Sequence, residues 1–206
     1  MHPRSNLSIL VFSLLATGLH ASLAPSASDA VPLPVGAQLP AALVQTIEGT
    51  NLDLSTLVAG KPTVLIFYRG SWCPYCNRHL AALAEIEPEL LKLGYQILAL
   101  SPDAVTELKA MTGKNRLHYR LLSDRAMNAA SAFGLAFRVD ATTVKKYREY
   151  QIDLAPVPGE PDARWLPVPA VYLIGRDGLI KFLHSNPDYK ARLSAEQVLA
   201  AAQAAL

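Results

Sequence analysis

The chain has 206 residues, 51% of them apolar and 17% charged, with a formal net charge of +2 at pH 7. That length suits one domain with its own core. The small positive balance, with no run of Lys and Arg interleaved with aromatic residues, excludes a nucleic-acid footprint and calls for no acidic partner.

The first 24 residues, "MHPRSNLSILVFSLLATGLHASLA", combine a basic start at Arg4, an apolar run from Leu7 to Leu19 and small residues beyond it. This is the pattern of a secretory signal, with a cut expected after Ala21 or Ala24. The run falls short of the ~20 residues that span a bilayer, so no stable membrane insertion is expected. Residues 25–34, rich in Pro, Ala and Ser, read as a linker, and the domain is placed at 35–206. The expected location is periplasmic or secreted.

Within the domain a turn at Glu48-Gly49 precedes "TVLIFY", a β-branched and aromatic run that reads as a central parallel strand. In "NRHLAALAEIEPELLKLG", Leu80, Leu83, Ile86, Leu90 and Leu93 form one apolar helical stripe that Pro88 should kink. "YQILALS" and "HYRLLS" read as strands, "AVTELKAMTG" and "AMNAASAFGLA" as helices, and this alternation implies parallel crossovers. "ATTVKKYREYQIDLAPVPGEPDARWLPVP" reads as a helix and a long proline-rich loop, with Trp165 packing. "AVYLI-GRDG-LIKFLH" is an antiparallel hairpin, and Ser194 with Gln197 forms a capping box for a final helix. The fold class that follows is an α/β sandwich, a central mixed sheet with helices on both faces.

Both cysteines of the chain lie in "SWCPYC", directly after the first buried strand. A bridge between residues three positions apart closes almost no loop, so a structural staple gains little. At a helix start, Cys73 meets free amide N–H groups and the positive end of the helix dipole, which favour its thiolate. Pro74 falls at the first helical position, where a missing N–H costs little. Cys76, one turn on and less exposed, can attack a mixed disulfide formed at Cys73 and resolve it. A closed zinc site at Cys73, Cys76 and His79 would need further ligands that the chain's cysteines do not supply, and no metal or other cofactor is expected. His79 reads as a polar residue on the helix.

"FYRGSWCPYC" after a strand resembles the thioredoxin-like superfamily, and "CPYC" is similar to the glutaredoxin active site. Residues 35–183 resemble the AhpC/TSA (alkyl hydroperoxide reductase/thiol-specific antioxidant) group in a peroxiredoxin-like branch carrying C-x-x-C. The residues that carry this likeness are the lead-in to "TVLIFYRG", "ILALSPD" and "PAVYLIGRDGLIKF". The resemblance implies a thioredoxin-like fold, catalysis by Cys73 and Cys76, and a site shaped by Arg69, Trp72, Pro74, Tyr75 and Pro169.

Two departures bear on the peroxidase side. Where those peroxidases place a Thr or Ser three residues before the reactive cysteine and a Pro seven before it, this chain has Gly70 and Ile66. Pro169 stands where their peroxide-holding arginine belongs, and it matches the proline that thioredoxins carry in cis form against the cysteine pair. Phe67 stands where thioredoxins have a buried acid, with Arg69 or a loop residue as its substitute. The sequence therefore ranks thiol–disulfide exchange in an exported oxidoreductase first, with protein or small-thiol redox partners, a cis Val168-Pro169 bond and slower reaction with peroxide. A thiol peroxidase acting on hydrogen peroxide or alkyl hydroperoxides, aided by a loop residue such as Arg164, is the alternative. A non-catalytic thioredoxin-like binding module is the third.

Overall fold

The computed structural model describes residues 23–115 and 118–206. The basic start and apolar run of the signal reading lie outside the described residues. A hairpin of Leu43–Thr46 (β1) and Asn51–Asp53 (β2) leads through a short helix, Leu54–Val58 (α1), into Thr63–Phe67 (β3). Pro74–Glu85 (α2), Glu87–Lys92 (α3), Gln96–Ser101 (β4), Val105–Asn115 (α4), Arg120–Ser123 (β5) and Asn128–Ala132 (α5) follow. The seven-stranded central sheet is completed by Ala170–Ile174 (β9) and Ile180–Ser185 (β10), in the order β10-β9-β3-β4-β5-β1-β2. β3, β4 and β5 are parallel and β9 runs antiparallel to β3, while β9 and β10 are antiparallel to each other, as the hairpin signal requires.

Every residue of β3 is buried, because helices cover both faces of the sheet. Leu65 and Phe67 pack with Leu54, Val58, Phe133 and Tyr172 on one side. Val64 and Ile66 pack with Leu80 and Leu83 of α2, Leu90 of α3 and Leu108 of α4 on the other. The same core takes in Val198 and Ala202 of the last helix, Ala195–Ala204 (α7), whose capping box pairs Gln197 N–H with Ser194 Oγ and Ser194 N–H with Gln197 Oε1. Pro88 breaks the long apolar stripe into two helices instead of bending one. It occupies the first turn of α3, where no N–H is needed and its ring meets no carbonyl of a preceding turn.

The stretch read as helix plus loop holds more structure than its composition indicates. Ala136–Val139 (β6) precedes Ala141–Glu149 (α6), whose Asp140 cap accepts the Thr143 N–H at 2.8 Å. Pro156–Val157 (β7) and Glu160–Pro167 (β8) then join β6 in a second sheet, in the order β6-β8-β7. Pro156, Pro158, Pro161 and Pro167 hide these strands from a propensity reading. Trp165 is buried in the core at 7% exposure, in the packing role expected of it.

The Val168-Pro169 bond is trans, against the expectation of a cis bond, since no peptide bond among the described residues is cis. The chain enters β9 extended from β8, with Val168 N–H held by the Leu135 carbonyl at 2.8 Å, so no tight turn is required there. Nothing then opposes the ordinary trans preference.

Residues 25–34, a linker by composition, lie against the domain. Ala24 pairs with β6, its N–H on Ala136 O at 3.2 Å and its carbonyl accepting Arg138 N–H at 2.8 Å. Ala27, Ala30 and Leu33 pack on the core. The arm crosses directly over Gly134, whose backbone is left-handed (φ +67°) and whose missing Cβ would run into the Val31 carbonyl. Gly134→Ala is therefore expected to lower stability by about 2 kcal/mol or more, combining a left-handed backbone penalty of ~1–2 kcal/mol with displacement of the arm. Urea unfolding measures this, and a loss under ~0.5 kcal/mol, the range of an ordinary surface substitution, would refute the arm's role.

Candidate active site

β3 ends at Phe67, and the next six residues carry the chain across the end of the sheet into α2. Cys73 is the N-cap of α2 and Pro74 its first residue, as the motif predicts. The Cys73 sulfur accepts the Cys76 N–H at 3.4 Å, and the two sulfurs lie 2.7 Å apart as free thiols. The turn before them is pinned from two sides. Buried Asp103 accepts the Ser71 N–H at 2.8 Å and the Ser101 hydroxyl at 2.7 Å, while Asn77 Nδ2 donates to the Ser71 carbonyl at 2.8 Å. Gly70 sits inside this turn with φ +149°. A Cβ there would collide with the Trp72 indole and approach Asp103 Oδ1 to 3.0 Å, which explains why neither Thr nor Ser stands at this position.

The electrostatics separate the two thiols. Cys73 is pulled down to about 6, first by the hydrogen bond from the Cys76 thiol, then, against its own burial, by the Cys76 N–H, Arg69 and Arg192. Cys76 is pushed strongly upward because its thiol donates to Cys73, is buried and faces the Cys73 charge. These are the charge states that a nucleophile at Cys73 and a resolver at Cys76 would require. The expected difference in exposure does not: both residues are 1% exposed, within a cluster on which Trp72 and Tyr75 also pack.

Arg69 lies at the centre of the site. It is 5% exposed, yet no carboxylate among the described residues lies within ion-pair distance of it. Its guanidinium stacks at 4.0 Å from the Tyr189 ring centroid, 5.1 Å from Trp72 and 5.7 Å from Tyr147, and it donates to the Tyr147 hydroxyl. Tyr75 completes the aromatic wall, edge-on to Tyr189 at 5.7 Å. Pro169 lines the same cavity of about 330 Å³ as Arg69, with Phe137, Val139, Leu166 and Lys146 around it. Arg164 stands apart, on β8 with its guanidinium on the Pro161 and Ala163 carbonyls, and takes no part in the site.

Sequence reading missed the opposite wall. Arg192, 116 residues from Cys76 in the chain, donates from Nη2 to the Cys76 sulfur at 3.4 Å. His79 is no surface residue: it is lowered to about 4, first by burial and then by the Arg192 charge, so it is neutral at physiological pH. His184 of β10 is lowered for the same two reasons. Asp103, His79, Tyr147 and His184 lie in segments that the sequence marks for other reasons, and nothing local marks Arg192 or Tyr189. Among the described residues no cluster of three or more His, Cys, Asp or Glu is arranged to hold a metal ion, and no helix is long and apolar enough to cross a membrane.

Residues 35–183 match the model of the AhpC/TSA family. A Haemophilus influenzae protein assigned as the peroxiredoxin bcp is 34% identical over 104 residues, 50% of this chain and 66% of that protein. The chloroplastic peroxiredoxin Q of Suaeda salsa is 30% identical over 100 residues, 48% of this chain and 46% of that one. The matches thus span between about half and just under two thirds of these relatives' own lengths. Among solved structures, the peroxidoxin BcpB of Mycobacterium tuberculosis superposes with a TM-score of 0.62 at 20% identity, covering 84% of this chain and 97% of that one. At that identity the likeness is one of fold.

The thiol electrostatics lead to a direct expectation. Thiolate absorbance of the reduced protein should rise with a midpoint near pH 6, since Cys73 is charged above that value and protonated below it. Cys76→Ala removes the thiol donor and should move the midpoint upward, whereas Cys76→Ser, which keeps a donor, should restore part of the shift. A wild-type midpoint near the ordinary thiol value of about 8.5 would contradict the assignment.

Proposed function

The chain belongs to the AhpC/TSA family, and from that premise we propose that it is a thiol-dependent peroxidase. The Cys73 thiolate attacks the outer oxygen of a hydroperoxide, the O–O bond breaks, and the leaving alkoxide or hydroxide takes up a proton. Cys73 is left as a sulfenic acid. Cys76 then attacks the Cys73 sulfur, hydroxide leaves as water, and a disulfide remains that an external thiol, small or protein-borne, returns to the dithiol. This reverses the order the sequence favoured, in which disulfide exchange stood first.

The observation that carries the reading is Arg69. Peroxide cleavage needs more than a thiolate: preorganised donors must stabilise charge that develops on the leaving oxygen. The family's arginine is replaced by Pro169, but in the β3–β9 register Phe67 faces Ala170, so Arg69 leaves the neighbouring strand at the level where Pro169 enters. Both line one cavity. A guanidinium thus reaches the same space from the other strand, caged by aromatic faces that keep it charged without supplying a competing anion. The burial of Cys73 supports the same reading, because a 1% exposed sulfur admits a small hydroperoxide more readily than the disulfide of another protein.

Export remains part of the proposal. The basic start, apolar run and small residues support a cleaved signal. The pairing of Ala24 with Ala136 and Arg138 favours the cut after Ala21, which keeps Ala24 in the mature chain. N-terminal sequencing of the mature protein should therefore begin before Leu23, and an intact Met1 on the mature protein would refute export.

For the activity, Arg69→Gln should lower the second-order rate constant for Cys73 oxidation by hydrogen peroxide about 10²–10³-fold, the effect of losing one preorganised donor. Arg69→Lys should recover part of it, since it keeps the charge but not the planar fork. Stopped-flow kinetics on variants with wild-type melting behaviour measures both, and an unchanged rate constant in Arg69→Gln would defeat the reading.

A further inference from the structure

Arg192 takes no part in the peroxide-cleaving step proposed above, and its surroundings are unusual. It stands two residues before Ser194, the N-cap of α7. No carboxylate among the described residues lies within ion-pair distance of it. Its Nη2 is spent on a thiol sulfur, a weak acceptor, and its buried Nε has no hydrogen-bond partner. His79 from α2 and His184 from β10 line the same small cavity of about 10 Å³, each with an unpartnered, buried Nε2. Phe67, Pro169, Ala170, Val171 and Leu193 close it, so the charged and titratable groups that line this cavity are Arg192 and two neutral imidazoles. A guanidinium held this way against a protonated thiol lacks the anion it is built to meet.

We propose that Arg192 is a catalytic residue of the resolving step, holding Cys76 as the thiolate that attacks oxidised Cys73. The inference rests on the peroxidase reading for the nature of that oxidised partner. In the reduced enzyme the Cys76 proton is committed to the Cys73 thiolate, and this hydrogen bond is the first cause of the high Cys76 value. Once Cys73 becomes a sulfenic acid its negative charge is gone, and with it the hydrogen-bonding and like-charge causes that kept Cys76 protonated. Burial still opposes ionisation, while Arg192 and the Arg69 N–H favour it. The proton leaves Cys76, the thiolate forms the S–S bond to Cys73, the S–O bond breaks, and the departing hydroxide takes up that proton as water. One sulfur is oxidised and the other reduced by one unit each, so no further oxidant or reductant is needed. Arg69 thus serves the first thiolate of the cycle and Arg192 the second.

The test separates the two steps in the full reduced chain. After rapid mixing with hydrogen peroxide, sulfenic acid is trapped with dimedone and disulfide is quantified by mass at each time point. Arg192→Gln should slow disulfide closure about 10- to 100-fold, the worth of a charge-assisted hydrogen bond to an ionised group, while slowing Cys73 oxidation far less. Sulfenic acid should then accumulate. Arg192→Lys, which retains the charge, should recover part of the closure rate and also controls for misfolding. Closure at the wild-type rate in Arg192→Gln, or equal slowing of both steps, would overturn the proposal. If the wild type forms no sulfenic acid, the peroxidase reading fails by itself. Arg192 is then judged on the mixed disulfide that Cys73 forms with a small aromatic disulfide. Slower release of the second thiol in Arg192→Gln supports its role, and an unchanged rate refutes it.

Discussion

The site is organised around two guanidinium groups, buried Arg69 and half-buried Arg192, on either side of a pair of thiols. A guanidinium does not lose its proton in a protein, so burying one without a carboxylate commits the structure to supplying an anion by other means. Arg69 is 5% exposed and paired only with aromatic faces and a tyrosine hydroxyl. The arrangement suits an anion at Cys73, whose thiol is lowered first by the Cys76 thiol and N–H and then by Arg69 and Arg192. Asp103 and Asn77 hold the turn that aims Cys73, with Asp103 itself anchored by Ser101 at the end of β4. The end of β4 is thus linked to the turn that carries Cys73 through Ser101, Asp103 and Ser71.

This arrangement explains the departures from the family's pattern as one coupled change. Trp72 lies over the turn and forms part of the Arg69 cage, so position 70 has no room for a side chain and the threonine donor is absent. Position 169 carries proline, and the extended, trans entry into β9 leaves the arginine to come from β3. The second sheet and α6 contribute Tyr147 to the cage and Phe137, Val139 and Leu166 to the adjoining cavity. What composition presents as an inserted loop is therefore a wall of the site.

Much of this was legible because it is local. The buried run at β3, the 3–4 spacing of Leu80, Leu83 and Leu90, the Ser194–Gln197 box and the helix-start geometry of Cys73 each follow from residues within a turn or a strand of one another. The rest depends on long-range placement. β7 and β8 are proline-rich and are held as strands by the pairing of β8 with both β6 and β7; Arg192 reaches Cys76 across 116 positions; Tyr147 and Tyr189 come to Arg69 from α6 and from the turn after β10. His79 looks like a surface residue on its own helix, and only the packing of the α7 approach buries it. The proline at 169 resembled the thioredoxin one by position, but the strand that precedes it removes the need for a cis bond. The same locality set the functional ranking, since the departures at positions 70 and 169 are visible in the motif, whereas the guanidinium that shares a cavity with Pro169 is recognisable only in three dimensions.

The central claim is that a buried thiolate held by Arg69 suffices for peroxide cleavage without the family's usual donors. It is tested most directly by the second-order rate constant of the reduced wild-type protein with hydrogen peroxide, compared with that of a free cysteine thiolate at the same pH. The account predicts an excess of about a thousandfold or more, the contribution of one or two preorganised donors in a dry site. A rate constant within about tenfold of the free thiolate, the effect of ~1.4 kcal/mol, would contradict it.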